Sequence, residues 1–300
     1  MSHTVCVLGG TGFIGRALVA RLVADGHAVK VLTRDPARHR EMLVLPTLRL
    51  VRADVHDPAV LGREFRGCDT VVNLVGILNE RGFGGRGFRR VHTDLTGKVV
   101  TACKAAGVAR YLHMSALNAD AERGPSHYLR SKGAAEDLVR RECAAGPAYV
   151  IIRPSVVFGP GDSFVQRFAR LARRMPGVFP LACANAKFAP VYVGDVVEAI
   201  VCCLDRKEVA GRSFELCGPE VLTLAEVVRR AVRTLGLTRR VIPLPRPISR
   251  LQAAIMDFVP GKPFSTDNYR SATVDSVCSH DGLGELGIAP TSMRAVLPLY

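Results

Sequence analysis

Three hundred residues are enough for two ordinary domains, or for one large α/β domain with an attachment, and for a core that needs no staple to hold it. Apolar residues make up 48% of the chain and charged residues 23%, a balance that excludes disordered and fibrous classes. The formal charge of +14 favours anionic partners (cofactor phosphates, nucleic acid or an acidic membrane surface) without choosing among them.

In chain order, Thr4–Leu8 reads as a strand, followed by a helix over about 12–25 that Gly26 stops. Strands follow at 28–32, 48–51 and 70–75. A helix over about 88–106 carries Val91, Leu95, Val99 and Cys103 on one stripe, and Gly107 closes it. Strand Arg110–Met114, a helix over about 126–145 and a strand at 149–152 complete the series. This alternation predicts βαβ units and an α/β, doubly wound parallel sheet of the Rossmann type. After Pro160 the pattern weakens. A basic helix is expected over 163–174 and strands at 191–193 and 213–217, with capping boxes at Asp195/Glu198 and Thr223/Glu226. Residues 1–160 and 189–217 are assigned to the Rossmann domain, and 161–188 and 218–300 to a smaller substrate-side lobe.

Gly9-Gly10-Thr11-Gly12-Phe13-Ile14-Gly15 sits between the first strand and first helix, the context a dinucleotide loop requires. Gly9 permits the tight turn, Gly12 the approach of a pyrophosphate and Gly15 close helix–strand packing. The helix start adds amide donors for the phosphates. Where an NAD-reading site carries a carboxylate, about 20 residues beyond the glycines, this chain has Thr33 and then Arg34. A guanidinium suits a 2′-phosphate, so NADP(H) is expected over NAD(H), with Arg38 assisting. Asp54 and Val55 are placed at the adenine edge, and Asn73, Val75 and Gly76 at the cleft end of the fourth strand.

Tyr128 and Lys132 lie four apart on one helical face, and Ser115 ends the preceding strand. A phenol needs a neighbouring cation to act as an acid or base near neutrality, so Lys132 is expected to lower the pKa of Tyr128. Ser115 is expected to donate to the developing oxyanion. No metal is called for.

With GGTGFIG (9–15), ADVHD (53–57), Ser115, Tyr128/Lys132, IIRPSVVFGP (151–160) and PVYVGDV (190–196), about two-thirds of the chain resembles an extended or atypical short-chain dehydrogenase/reductase, NAD-dependent epimerase/dehydratase-like. HMSALNAD (113–120), SHYLRSK (126–132), PGDSFVQRF (160–168) and FSTDNYRSATVDSVC (264–278) resemble the Rossmann-type accessory subunit of respiratory complex I (alpha-subcomplex subunit 9) and its bacterial relatives. The resemblance implies an NADP(H)-binding domain whose cofactor contacts include Pro154 and Val157 beside Tyr128 and Lys132. It implies hydride transfer to or from a carbonyl or alcohol of unspecified identity. The alternatives are a non-catalytic nucleotide-binding structural or assembly factor of a respiratory complex, and a nucleotide-sugar epimerase or dehydratase, whose pyrophosphate-binding lobe is not evident in 218–300. His92 stands where many extended members carry Asn, and is expected to be an ordinary polar surface residue.

Residues 81–90 form an Arg/Gly tract, expected to be a mobile lip over the site; nucleic acid is not the expected partner. Residues 229–250 hold seven arginines and no acid, and lead into Ile248, Leu251, Ile255 and Phe258 at amphipathic spacing. Such a stripe either packs on the protein's own core or lies on an anionic membrane or a respiratory complex. The nine cysteines include no Cys-x-x-Cys, so neither a disulfide framework nor a zinc site is expected. The early first strand leaves no room for a signal peptide. The expectation is a cytoplasmic protein, with peripheral membrane contact open.

Overall fold

A computed structural model describes residues 2–175, 177–234 and 236–299. Seven strands form one parallel sheet: β1 (Thr4–Leu8), β2 (Ala28–Thr33), β3 (Leu48–Arg52), β4 (Thr70–Asn73), β5 (Arg110–Met114), β6 (Ala148–Pro154) and β7 (Ser213–Leu216). Their spatial order is β7-β6-β5-β4-β1-β2-β3. The order reverses between β1 and β4, and doubly wound sheets bind ligands at the carboxyl ends of the strands flanking such a reversal.

The strands read as continuous apolar runs because both faces of the sheet are covered. Val5, Val7, Val29, Val31 and Val150 face one way, against Leu18, Val19 and Leu22 of α1 (Phe13–Ala24). α6 (Val193–Asp205) packs there too, through Val196 and Ile200. Cys6, Leu8, Val71, Tyr111 and Ile151 alternate to the other face. There they meet Leu61 of α2 (Pro58–Glu64), Val99 and Cys103 of α3 (Leu95–Ala106), and Val139 of α4 (His127–Cys143).

Beyond the sheet, α5 (Phe164–Arg174) and α7 (Leu224–Thr234) share a separate apolar cluster with Phe179, Leu181 and Val241. Two short paired strands, Val178–Leu181 and Arg240–Pro243, belong to it. α8 (Arg246–Met256) and α9 (Thr266–Ser271) follow. The lobe expected over 218–300 is not continuous in packing: Leu283 and Leu286 return to the sheet's core.

Two further expectations change and one holds. Asp195 does not cap α6, which starts at Val193; its buried carboxylate takes the Thr291 amide at 2.7 Å and hydroxyl at 2.8 Å, fastening the carboxyl-terminal segment. The Thr223/Glu226 box does form, with the Thr223 amide donating to Glu226 at 2.7 Å. Cys217 and Cys278 are joined in a disulfide, which odd cysteine spacing concealed because the partners are 61 residues apart. Cys6, Cys68, Cys103, Cys143 and Cys203 are buried free thiols. Among the described residues no helix is long and apolar enough to cross a membrane.

Candidate active site

At the β1–β4 reversal, Gly9 adopts a left-handed φ of +77°. A β-carbon on it would meet the Leu74 backbone at 3.0 Å, and one on Gly15 would lie 2.3 Å from the Gly9 carbonyl. Gly15 therefore serves contact between α1 and the loop itself rather than a strand. Gly12 stands exposed at the start of α1 with no side-chain cap, so the helix's first amides face outward with their dipole. Thr11 and Ile14 flank it half-buried, Phe13 reaches toward Gly159, and Val157 is half-buried.

Arg34 is exposed beyond the end of β2 and makes no hydrogen bond or ion pair among the described residues. Thr33 is buried, its hydroxyl accepting the Asp35 amide at 3.4 Å. Arg38 is exposed nearby in sequence. Asp54 is exposed and accepts the His56 amide at 2.9 Å, with half-buried Val55 beside it. Asn73 is spent on structure: its amide donates to the Tyr111 hydroxyl at 3.2 Å and its carbonyl accepts from Val75 at 3.2 Å. Pro154 is buried at the end of β6, its carbonyl taking the Leu117 amide at 3.0 Å.

Tyr128 and Lys132 sit in the first turns of α4. Ser126 caps this helix, its hydroxyl taking the Leu129 amide at 3.1 Å. Asp267 adds a second cap from α9, accepting the His127 amide at 2.7 Å and the Tyr128 amide at 3.1 Å. Lys132 is buried and donates to the Met114 carbonyl at 2.9 Å. Burial lowers its pKa to about 8, against the pull of Glu136. A β-carbon at Gly76 would lie 3.5 Å from both Lys132 Nζ and His92 Nε2, so those two groups flank the exit of β4. Burial pushes the Tyr128 phenol up to about 12, and the lowering expected from Lys132 does not appear.

His92 is no surface residue. It is 1% exposed, and its ring meets that of Tyr128 edge-on at 5.4 Å. Nε2 accepts the Ile77 amide at 3.1 Å, which leaves the proton on Nδ1. Nδ1 donates to Ser131 Oγ at 2.8 Å, and Ser131 donates to the Tyr128 carbonyl at 2.8 Å. Burial, then the Lys132 charge, lower the pKa of His92 to about 2, so the ring is neutral. Its placement follows from a π-helical turn, Arg89–Asp94, ahead of α3, where one continuous helix was expected.

Ser115 does not present its proton to the cleft. Its hydroxyl donates to Glu136 Oε1 at 2.6 Å, and a hydroxyl has one proton to give. Glu136 is fully buried and also takes Arg153 Nε at 2.8 Å and Arg140 at 2.7 Å, with a second, shorter contact from Arg153. A charge inside a protein needs partners of this kind, and Ser115 is one of them. Sequence reading missed Glu136, Ser131 and Asp267. Only Glu136 left a signal: it repeats the face of Tyr128 and Lys132 at the next four-residue step.

A cavity of about 210 Å³ is lined by Glu80, Phe83, Phe88, His127, Asp257 and Lys262 among others; Tyr128 is not on its wall, but the ring of Phe88 meets the Tyr128 ring edge-on at 6.0 Å. The Arg/Gly tract forms its rim, held by Glu80, which accepts the Gly85 amide at 2.6 Å and the Gly87 amide at 2.7 Å. No cluster of metal-ligating side chains occurs among the described residues.

Residues 9–162 match the NAD(P)H-binding family, and 120–219 the 3-beta hydroxysteroid dehydrogenase/isomerase family. The chain is 32% identical over 256 residues to a ceramide reductase of Caulobacter vibrioides, covering 84% of this chain and 77% of that protein. It is 30% identical to NADH dehydrogenase [ubiquinone] 1 alpha subcomplex subunit 9 of Arabidopsis thaliana, covering 96% of this chain and 74% of that one. The fold is shared with a UDP-glucose 4-epimerase of Thermotoga maritima, at a TM-score of 0.77 and 17% identity over 99% of this chain and 96% of that chain.

Proposed function

Because this chain belongs to the NAD(P)-binding, extended short-chain dehydrogenase/reductase family, we propose that it is an NADP(H)-dependent oxidoreductase acting on a carbonyl or alcohol of an apolar, lipid-like substrate. The observation that carries this reading is the buried Lys132 one helical turn from Tyr128, at the sheet edge that also holds the glycine loop. Arg34, exposed past the end of β2 and with no hydrogen bond or ion pair among the described residues, supports the 2′-phosphate preference. The ceramide named for the Caulobacter relative, and the partly apolar rim of the cavity, support the substrate class.

Bound cofactor supplies or accepts the hydride. The outward amides of α1 and the Arg34 guanidinium would hold its phosphates. Tyr128 gives its phenolic proton to the carbonyl oxygen in reduction and takes it back in oxidation. A charged Lys132 one helical turn away would stabilise the resulting phenolate against the burial that keeps this phenol protonated. His92 and Ser131 fix the backbone and ring of Tyr128. With the Ser115 proton committed to Glu136, Tyr128 carries the oxyanion alone.

That same commitment favours a second reading, a nucleotide-binding subunit without turnover, akin to the complex I relatives. Titration of NADPH and NADH, together with turnover on a panel of long-chain ketones, separates the two. NADPH is expected to bind more tightly, and Arg34→Ala to cost about 1.5–3 kcal/mol of that affinity. Tyr128→Phe is expected to slow turnover about 10²–10⁴-fold with nucleotide affinity intact. Equal affinities that Arg34→Ala leaves unchanged remove the cofactor preference. Turnover that survives Tyr128→Phe removes the mechanism. Tight NADPH binding with no turnover on any ketone selects the second reading.

A further inference from the structure

The basic loop 81–90 meets the segment that directly follows α8, the helix that carries the last arginines of the second basic stretch. Phe83 packs against Phe258 with ring centres 5.7 Å apart, and Lys262 lies over the Phe83 ring at 4.2 Å while donating to the Gly82 carbonyl at 2.8 Å. Asn268 bonds the Leu78 carbonyl at 3.2 Å, and Asn79 the Lys262 carbonyl at 3.1 Å. The loop and the segment after α8 are thus stitched together.

α8 itself is turned inside out. Its small residues Ser249 and Ala253 face the protein, while Ile248, Leu251 and Ile255 face outward, with Leu251 60% exposed. Phe258, just past the helix, is 81% exposed, and Phe83 extends the patch. An ordinary surface helix buries its large apolar side chains, so this face is built for a partner.

We propose that the partner is the surface of an anionic phospholipid bilayer. Arg246 and Arg250 on α8 and Arg81 and Arg86 on the neighbouring loop are all exposed around the apolar ridge, and residues 229–250 contain no carboxylate. Asp257, the acid nearest in sequence, is occupied with the Thr266 amide at 3.2 Å. An exposed apolar helix face beside arginines is the arrangement that lies in a membrane interface, apolar side chains in the acyl boundary and guanidinium groups among headgroup phosphates. The cavity whose wall includes Phe88, a ring neighbour of Tyr128, is also lined by Phe83 and Lys262 of this same surface, so docking sets its mouth at the lipid boundary. An amphiphile drawn from the bilayer then reaches the phenol without crossing water. This purpose rests on the oxidoreductase reading; the docking itself does not.

The chain contains no tryptophan, so Phe258→Trp supplies a sole emitter on the ridge. It is mixed with vesicles of equal parts phosphatidylglycerol and phosphatidylcholine, and with vesicles of phosphatidylcholine alone. The expected result is a blue shift on the anionic vesicles, quenched by acyl-brominated lipid and reversed by salt. Arg246→Ser and Arg250→Ser should each weaken binding about fivefold. The pair Leu251→Asp and Ile255→Asp should abolish it with an unchanged melting temperature, since both positions are exposed. The proposal is overturned if emission is unchanged on anionic vesicles at low salt, or if the aspartate pair binds as well as the parent. It is equally overturned if the patch instead holds RNA, or a second copy of this chain that the aspartate pair releases. Each readout is independent of turnover, so an inactive protein that docks, or an active one that does not, tells the two readings apart.

Discussion

At the glycine-loop end of the cleft a ligand meets backbone; at the α4 end it meets side chains. Gly9, Gly12 and Gly15 contribute by what they lack, and the groups they leave pointing outward are amides with no side-chain cap. Around Tyr128 almost every polar atom is already spoken for: His92 by Ile77 and Ser131, Lys132 by Met114, Ser115 by Glu136. A surface made of absences is preorganised by sterics alone. A surface made of side chains is preorganised only after each hydrogen bond has been allotted, and the allotment decides which residue is left to do chemistry.

Substitutions can break that contrast or sharpen it. The largest effect is expected at Gly15→Ala, where the new β-carbon would sit 2.3 Å from the Gly9 carbonyl and 2.6 Å from Gly10 Cα. Backbone cannot step aside as a side chain can, so denaturant melts should show a loss of about 3 kcal/mol and nucleotide affinity should fall with it. Gly62→Ala in α2, with nothing within 4 Å of the added carbon, is the control and should gain up to about 1 kcal/mol. An equal response at the two glycines would end the argument from sterics.

Acid should reveal the other end. His92 and His113 are buried neutral, with pKa values lowered to about 2 and about 3. In the unfolded chain both take a proton near 6.5, whereas the folded protein refuses it. Their stability is therefore fully present above that pH and is lost as pH falls toward the folded values. Each should cost up to about 1.4 kcal/mol per pH unit. Urea melts at pH 7 and pH 5 measure the slope, and His92→Gln should remove roughly half of it. A slope that His92→Gln leaves unchanged would mean that the ring is not held neutral.

The smallest effect is expected at Ser115→Ala. Glu136 keeps its arginines, so the loss should be about 1 kcal/mol in stability, with kcat within about twofold of the parent. A tenfold fall in kcat would return Ser115 to the oxyanion and shrink the contrast between the two ends.

These differences track what a sequence can display. The strands β1 and β5 coincide with their apolar runs, and the glycine loop announces itself, because steric demands write residue identity directly at fixed spacing. Tyr128 and Lys132 were legible for the same reason: one helical turn brings them together. The bond from Ser115 to Glu136 was not legible, because position on a strand does not tell where a rotatable hydroxyl spends its proton. His92 looked peripheral because a π-helical turn carries no spacing of its own, and it was that turn which brought the ring inward. The cap from Asp267 and the Cys217–Cys278 bridge join residues 140 and 61 positions apart, beyond any local pattern. The outward stripe of α8 was visible as a stripe, but its direction is a property of the packed protein.

The Asp267 cap makes the two halves of the molecule thermodynamically conditional on each other. Its carboxylate belongs to the carboxyl-terminal segment, and the amides it satisfies begin the helix that carries Tyr128. If that segment swings away, α4 loses two hydrogen bonds and a favourable charge at its positive end, and its first turn is free to fray. The turn that frays is the one holding Tyr128. Anything that grips the outer segment therefore also tightens the phenol, and a substrate that orders the phenol pulls the outer segment in. Order at the rim and order at the start of this helix become a single equilibrium.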